Sequence, residues 1–150
     1  MEVTIKHYTE LSKDEFHDII ALRIAVFVVE QDCPYQDLDG LDKDAYHLMV
    51  IENDEIIGTL RILKPGVYYN ESAVGRVVSH PNHRNKKLGH LMMEHAMNFI
   101  QNELNLNSVR LSAQTHLIKY YEKYGFESTG KEYLEDGIPH TEMYFENSNQ

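Results

Sequence analysis

Hydrophobic residues along this chain follow two rhythms, one of period two and one near 3.6, and the switches between them mark the elements. Val3 to Tyr8 alternates apolar and polar positions as a half-buried strand does. Ser12-Lys13-Asp14-Glu15 offers a capping box, and Phe16, Ile19, Ile20, Ala25, Val26, Phe27 and Val29 predict a helix down to Glu30. Pro34 bars that helix from running far beyond Cys33. Tyr46 to Glu52 and Ile56 to Leu63 are rich in strand formers and are separated by Asn53-Asp54-Glu55, a hairpin of open turn type. After Pro65-Gly66 the strand pattern resumes at Val74 and closes at Ser79, because Pro81 has no amide hydrogen to give a sheet.

Leu88, Leu91, Met92, Ala96, Phe99 and Ile100 return to helical spacing, so a helix starts near Lys87 and runs to about Leu104. Ser108 to Ala113 alternates with Val109 and Leu111 on one face, and strand, helix and strand together imply a right-handed crossover. Thr115 to Tyr124 reads as a short helix stopped by Gly125. Phe126 to Glu135 then pairs with His140 to Phe145 across Asp136-Gly137, and Asn147 to Gln150 is expected to fray. The order β-α-β-β-β-α-β-α-β-β predicts an α/β fold of the α+β kind, one mixed sheet with helices on its faces. With 150 residues, no internal repeat and no linker, the expectation is a single domain over residues 1–150.

Composition narrows the partners. A formal charge of -10 repels nucleic acid and anionic membranes at long range, so an anionic ligand needs a local basic patch. Arg84, Lys86 and Lys87 provide one. A lone cysteine forms no internal disulfide, no apolar run approaches ~20 residues, and the first residues lack a signal-peptide core, so a reducing cytoplasm is expected.

The basic patch lies in His80-Pro81-Asn82-His83-Arg84-Asn85-Lys86-Lys87-Leu88-Gly89, where a strand ends and a helix begins. A helix start carries unpaired amide donors and partial positive charge, so lysines there repel it unless an anion arrives. Two solvated lysines on a surface turn are the plainer reading; a diphosphate cradle is the functional one.

Together with Tyr121-Glu122-Lys123-Tyr124-Gly125-Phe126 after the fifth strand, this arrangement resembles the GCN5-related N-acetyltransferases over nearly the whole chain. The family's phosphate loop is matched at Arg84 and Gly89, while Lys87 stands where its first glycine would be. Leu22 to Gly40, with Gly75-Arg76-Val77 and Glu135 to His140, looks like the ElaA-type branch, whose acceptors are unsettled. The Leu22 to Glu30 segment is also similar to acyl-homoserine lactone synthases, though this chain is short and fits the ElaA-type features better.

The resemblance implies acetyl-CoA as co-substrate, with no metal, and an acetyl group passing directly to a primary amine of a small molecule or peptide. It places the pantetheine arm against Val77, Val78 and Ser79, the diphosphate on the amides of Asn85, Lys86, Lys87, Leu88, Gly89 and His90, with Arg84 as a nearby cation, and Gln114 against the pantetheine. Tyr121 becomes the candidate general acid, since a phenol near pKa 10 stays protonated at neutral pH and can meet a departing thiolate of pKa about 8.5. It also fits as a core aromatic beside Tyr120 and Tyr124.

The family often has a glutamate early on the fourth strand as base; here stand Val74, Gly75 and Arg76. His47, Glu30 and His140 are the replacements, with an ordered water relay as another route. Arg23 lies on the apolar stripe of the first helix, where it needs an internal carboxylate, a stem that snorkels outward, or, with Arg76, an acidic group on the acceptor.

Asp37, Asp39 and Asp42 fail the EF-hand pattern at Gly40, leaving a solvated acidic loop that attracts cationic amines. His80 and His83 lack a third ligand at metal spacing, and Cys33 reads as a packed thiol. The alternative to an enzyme is an acyl-CoA-binding regulatory protein, and an exposed strand edge would allow a homodimer.

Overall fold

The computed structural model describes residues 1–147. It contains β1 (Glu2–His7), α1 (Lys13–Arg23), β2 (Ala45–Glu52), β3 (Glu55–Leu63), β4 (Ser72–Ser79), α2 (Leu88–Asn98), β5 (Ser108–Gln114), α3 (Ile118–Glu122), β6 (Glu127–Glu135) and β7 (Ile138–Glu146). The strands form one mixed sheet in the order β1-β2-β3-β4-β5-β7-β6, antiparallel except for β4 beside β5. The predicted α+β architecture and element order are those observed.

Ser12 caps α1 as its sequence predicts: its hydroxyl accepts from the Glu15 amide at 3.0 Å while Glu15 accepts from the Ser12 amide at 2.8 Å. Asn53 and Asp54 both have positive φ, 51° and 61°, which identifies the β2–β3 turn as the type that matches strand twist. Asp136 and Gly137 do the same for β6 and β7.

The two long helical stretches are not α-helical throughout. Past Arg23 the chain widens into a π-helix over Ile24–Glu30, with the Gln31 amide reaching Val26 O and the Cys33 amide reaching Val28 O, five residues back. Phe99–Glu103 ends α2 likewise.

The main core packs Leu48, Val50, Leu60 and Ile62 of the sheet against Met92, Met93, Ala96 and Ile100. Gly58 is where α2 comes nearest, since a Cβ there would stand 3.1 Å from Met92 Sδ. On the opposite face Leu22 and Val26 pack on Val78, so the β2–β4 half of the sheet is enclosed between helices.

Asn147 is not frayed: its amide donates to Asn107 O at 2.8 Å and its side chain to Gln101 at 2.9 Å. The same expectation for residues 148–150 falls outside the described residues.

Candidate active site

β4 and β5 run parallel, yet only Ser72 with Val109 and Ala73 with Arg110 are in register between them. Among the described residues no further rung joins them, although β4 continues to Ser79 and β5 to Gln114. The backbone groups facing this gap are a free edge inside the sheet, an environment that accepts an extended ligand as an added strand. Val77, Val78 and Ser79 lie on the β4 side of it.

β4 is further bent by a bulge. Thr59 pairs with Val78 and Arg61 with Gly75, so Arg76 and Val77 together oppose Leu60. Arg76 takes φ 53°, a left-handed conformation that aims its side chain off the strand line.

At the end of β4 the chain turns through a 3-10 helix, Pro81–Lys86, and enters α2 by way of Lys87, which has φ 54° and ψ 41°. The position where the family pattern has glycine thus uses a left-handed backbone, and a lysine occupies it at a steric cost. The first intrahelical bond of α2 runs from the Leu91 amide to Lys87 O at 3.3 Å, so the Leu88, Gly89 and His90 amides are left facing outward as anion donors. Gly89 is confined, since a Cβ there would meet the Tyr120 hydroxyl at 2.8 Å. His90 Nδ1 contacts the Tyr124 hydroxyl, joining the start of α2 to α3.

Two cations of this turn, Arg84 and Lys86, have partners. Arg84 forms a two-pronged pair with Glu30, whose carboxyl is held below the usual range by those hydrogen bonds. Lys86 donates to Glu52 at 2.6 Å. Glu30 therefore presents its carboxylate to Arg84 rather than standing free as a base.

Tyr121 is buried, its ring edge-on to Tyr120 at 5.0 Å. Its hydroxyl has no hydrogen-bond partner among the described residues, and burial pushes its pKa far above the ordinary 10, so the phenol stays protonated. It is at once a core aromatic and a proton-bearing group.

His140 lies opposite Gln114 in the β5–β7 register. Its Nδ1 is 2.7 Å from Ile138 O, a contact that needs a proton on Nδ1, and its Nε2 lies 3.2 Å from the Glu135 carboxylate. Tyr133 stacks on the ring.

His47 is placed elsewhere. It is fully buried on the α1 side of the sheet, edge-on to Phe16, with Nε2 donating to Asp42 O at 3.0 Å and Nδ1 without a partner. Burial depresses its pKa, and no path brings a substrate amine to it, so it is a core histidine.

Arg23 is likewise corrected as a substrate ligand. Its guanidinium is 1% exposed and donates to Asp37 at 2.9 Å and Asp42 at 2.7 Å, leaving nothing for an acceptor. Arg61 bridges Asp39 at 2.6 Å and Asp42 at 3.2 Å. Arg76 completes the set, 3.0 Å from an Asp37 carboxylate oxygen and 3.0 Å from its carbonyl, with Tyr35 beneath it.

Three aspartates of the supposedly solvated loop thus meet three arginines from α1, β3 and β4. Burial would raise the Asp42 and Asp39 carboxyls, but hydrogen bonds from Arg23 to Asp42 and from Arg61 to Asp39 hold both well below the usual range. The network clamps the loop and the β4 bulge to each other, so Arg76 positions the strand that borders the gap. Sequence reasoning missed this role for Asp37, Asp39, Asp42 and Arg61; the one hint was a charge on the apolar stripe at Arg23. Cys33 reaches the β6–β7 turn, with Sγ 3.8 Å from Asp136 O.

The chain matches the acetyltransferase (GNAT) domain over residues 7–147. It is 39% identical to protein ElaA of Escherichia coli K12 over 139 residues, 91% of each chain. The crystal structure of Escherichia coli ElaA superposes with a TM-score of 0.89 at 37% identity, covering 97% of this chain and 99% of that one. An acyl-CoA N-acyltransferase from Pseudomonas aeruginosa gives 0.90 at 42% identity with the same coverage. The acyl-homoserine lactone synthase LasI gives 0.79 at 15% identity, over 97% of this chain and 89% of LasI, a likeness of fold alone. A parted parallel strand pair above a helix N-terminus, with the match over residues 7–147, makes this chain a member of the GNAT acetyltransferase family.

Proposed function

We propose that this chain moves an acetyl group from acetyl-CoA directly to a primary amine of a small molecule or peptide. The observation that carries the reading is the gap between β4 and β5, which opens beside the outward-facing amides of Leu88, Gly89 and His90. An extended amide-bearing arm fits a free strand edge, and Val77, Val78 and Ser79 offer that edge while Gln114 faces it from β5. The amides from Asn85 to His90 take the diphosphate, with Arg84 and Lys86 as neighbouring cations. A thioester supplies an activated carbonyl, so the transfer needs only a neutral amine, donors for the developing oxyanion and a proton for the thiolate.

Tyr121 supplies that proton. Its phenol is protonated at neutral pH, so the hydroxyl carries the proton that the transfer requires. Of the three candidate bases His140 is the one kept, because it lies opposite Gln114 across the β5–β7 register and its partner Glu135 is the more exposed of that pair, while Glu30 is held by Arg84 and His47 is sealed. The reading treats the chain as one domain acting in the cytoplasm, with the outer edge of β6 as the place where a second copy would add.

A panel of primary amines assayed for free thiol release from acetyl-CoA tests this. Release with at least one amine, slowed ~10²-fold in Tyr121→Phe, is expected. Saturable acetyl-CoA binding with no release from any amine would instead make the chain an acyl-CoA-responsive regulator.

A further inference from the structure

We propose that Glu55, His80 and His83 form a binding site for a divalent ion of the zinc class. His80 caps the 3-10 helix Pro81–Lys86 and His83 lies three residues on, with its amide bonded to His80 O at 2.9 Å. Residues three apart in a 3-10 turn eclipse, which sets the two rings on one side with centroids 5.3 Å apart.

The sequence lacks a carboxylate near these histidines, and the fold supplies one from the start of β3. One ligand atom from each of Glu55, His80 and His83 lies within 4.8 Å of the other two. His80 Nε2 and Glu55 Oε1 are 3.6 Å apart, close to the ~3.4 Å between neighbouring ligands of a tetrahedral ion held at about 2.0–2.2 Å. Two imidazoles and one carboxylate form a zinc-type set with a fourth position open to water.

The surroundings suit a cation. His83 Nδ1 is buried with no hydrogen-bond partner and sits 3.6 Å from Glu52, whose carboxylate also receives Lys86. A depression of about 580 Å³ reaches His80 and Glu55 from solvent, and Asp18 and Asp54 on its lining give it negative charge. His80 Nδ1 now accepts from the Asn82 amide at 3.1 Å, so ligation through Nε2 shifts the ring proton to Nδ1 and gives up that cap. In exchange the ion ties the β2–β3 hairpin to the turn that leads into α2.

Zinc chloride titrated calorimetrically into untagged full-length protein tests the site. One equivalent binding at about 10 μM or tighter is expected, with a raised Tm. Glu55→Gln and His83→Ala, shown by circular dichroism to keep their fold, weaken binding at least ~10-fold and lose the Tm shift, while His17→Ala, at an exposed histidine on α1, changes neither. Zinc binding unaltered in Glu55→Gln and His83→Ala, or only weak non-saturating uptake by the wild type, overturns the proposal.

Discussion

Glu30 and Arg84, 54 residues apart, hold each other across the gap between the end of the π-helix and the turn before α2, with one arm at 3.0 Å. Each has a separate task in the reading of the bare sequence, base and phosphate cation, and in the fold they occupy one another. The pair is largely exposed, so its value lies in what it withholds from a ligand rather than in stability.

Releasing Arg84 therefore helps an anion. Glu30→Gln is expected to lower the KM for acetyl-CoA about 3-fold and leave kcat within about 2-fold, while Arg84→Ala raises that KM by roughly 3- to 10-fold. Steady-state kinetics of both variants check this. A kcat loss of ~100-fold in Glu30→Gln would instead assign the carboxylate to proton transfer.

Tyr121→Phe removes one oxygen from a buried ring and keeps the packing against Tyr120 and Phe126. The expected result is a kcat lowered by ~10²-fold with KM for acetyl-CoA changed only a few-fold, since the hydroxyl acts on the departing sulfur. Equal kcat in wild type and variant would leave Tyr121 as a core aromatic only.

What the sequence revealed and what it hid divide along local and non-local lines. The Ser12 capping box, the Asn53-Asp54 turn, the Pro81 strand stop and the alternation of β5 are local signals, and each element appears within a few residues of its reading. The acidic loop was misread because Asp37, Asp39 and Asp42 find Arg23, Arg61 and Arg76 across separations of 14 to 39 residues, which no local pattern encodes. The π-helical ends of both long helices have no distinguishing periodicity. Glu55 joins His80 and His83 only because β3 and β4 are neighbours in the sheet. The parting of β4 and β5 beyond Ala73 and Arg110 has no residue pattern that announces it.

Arg23→Met tests the buried network. Removing the guanidinium leaves two carboxylates, on Asp37 and Asp42, without their nearest cation in a dry site. A loss of about 3–5 kcal/mol in urea unfolding is expected. A change under ~1 kcal/mol would contradict a network that braces the fold.

Stability should fall in two steps as pH is lowered. The buried His47 titrates below its ordinary 6.5, so the unfolded chain takes the proton first, and the stability present above pH 6.5 declines below it. Asp39 and Asp42 titrate below 3.8; their contribution persists above that pH and is lost as acidity rises through their depressed values. Urea midpoints measured across the range check this, and His47→Gln should flatten the upper step alone. Parallel curves for wild type and His47→Gln would show that His47 is not its source.

The central claim is that the opening between β4 and β5 receives the thioester, with its diphosphate on the amides at the start of α2. Co-crystallisation with acetyl-CoA at millimolar concentration tests it most directly. The account predicts pantetheine density alongside Val77 to Ser79 and phosphate oxygens within hydrogen-bond distance of the Leu88, Gly89 or His90 amides. An unfilled opening under those conditions, or ligand density seated on another face, would contradict it.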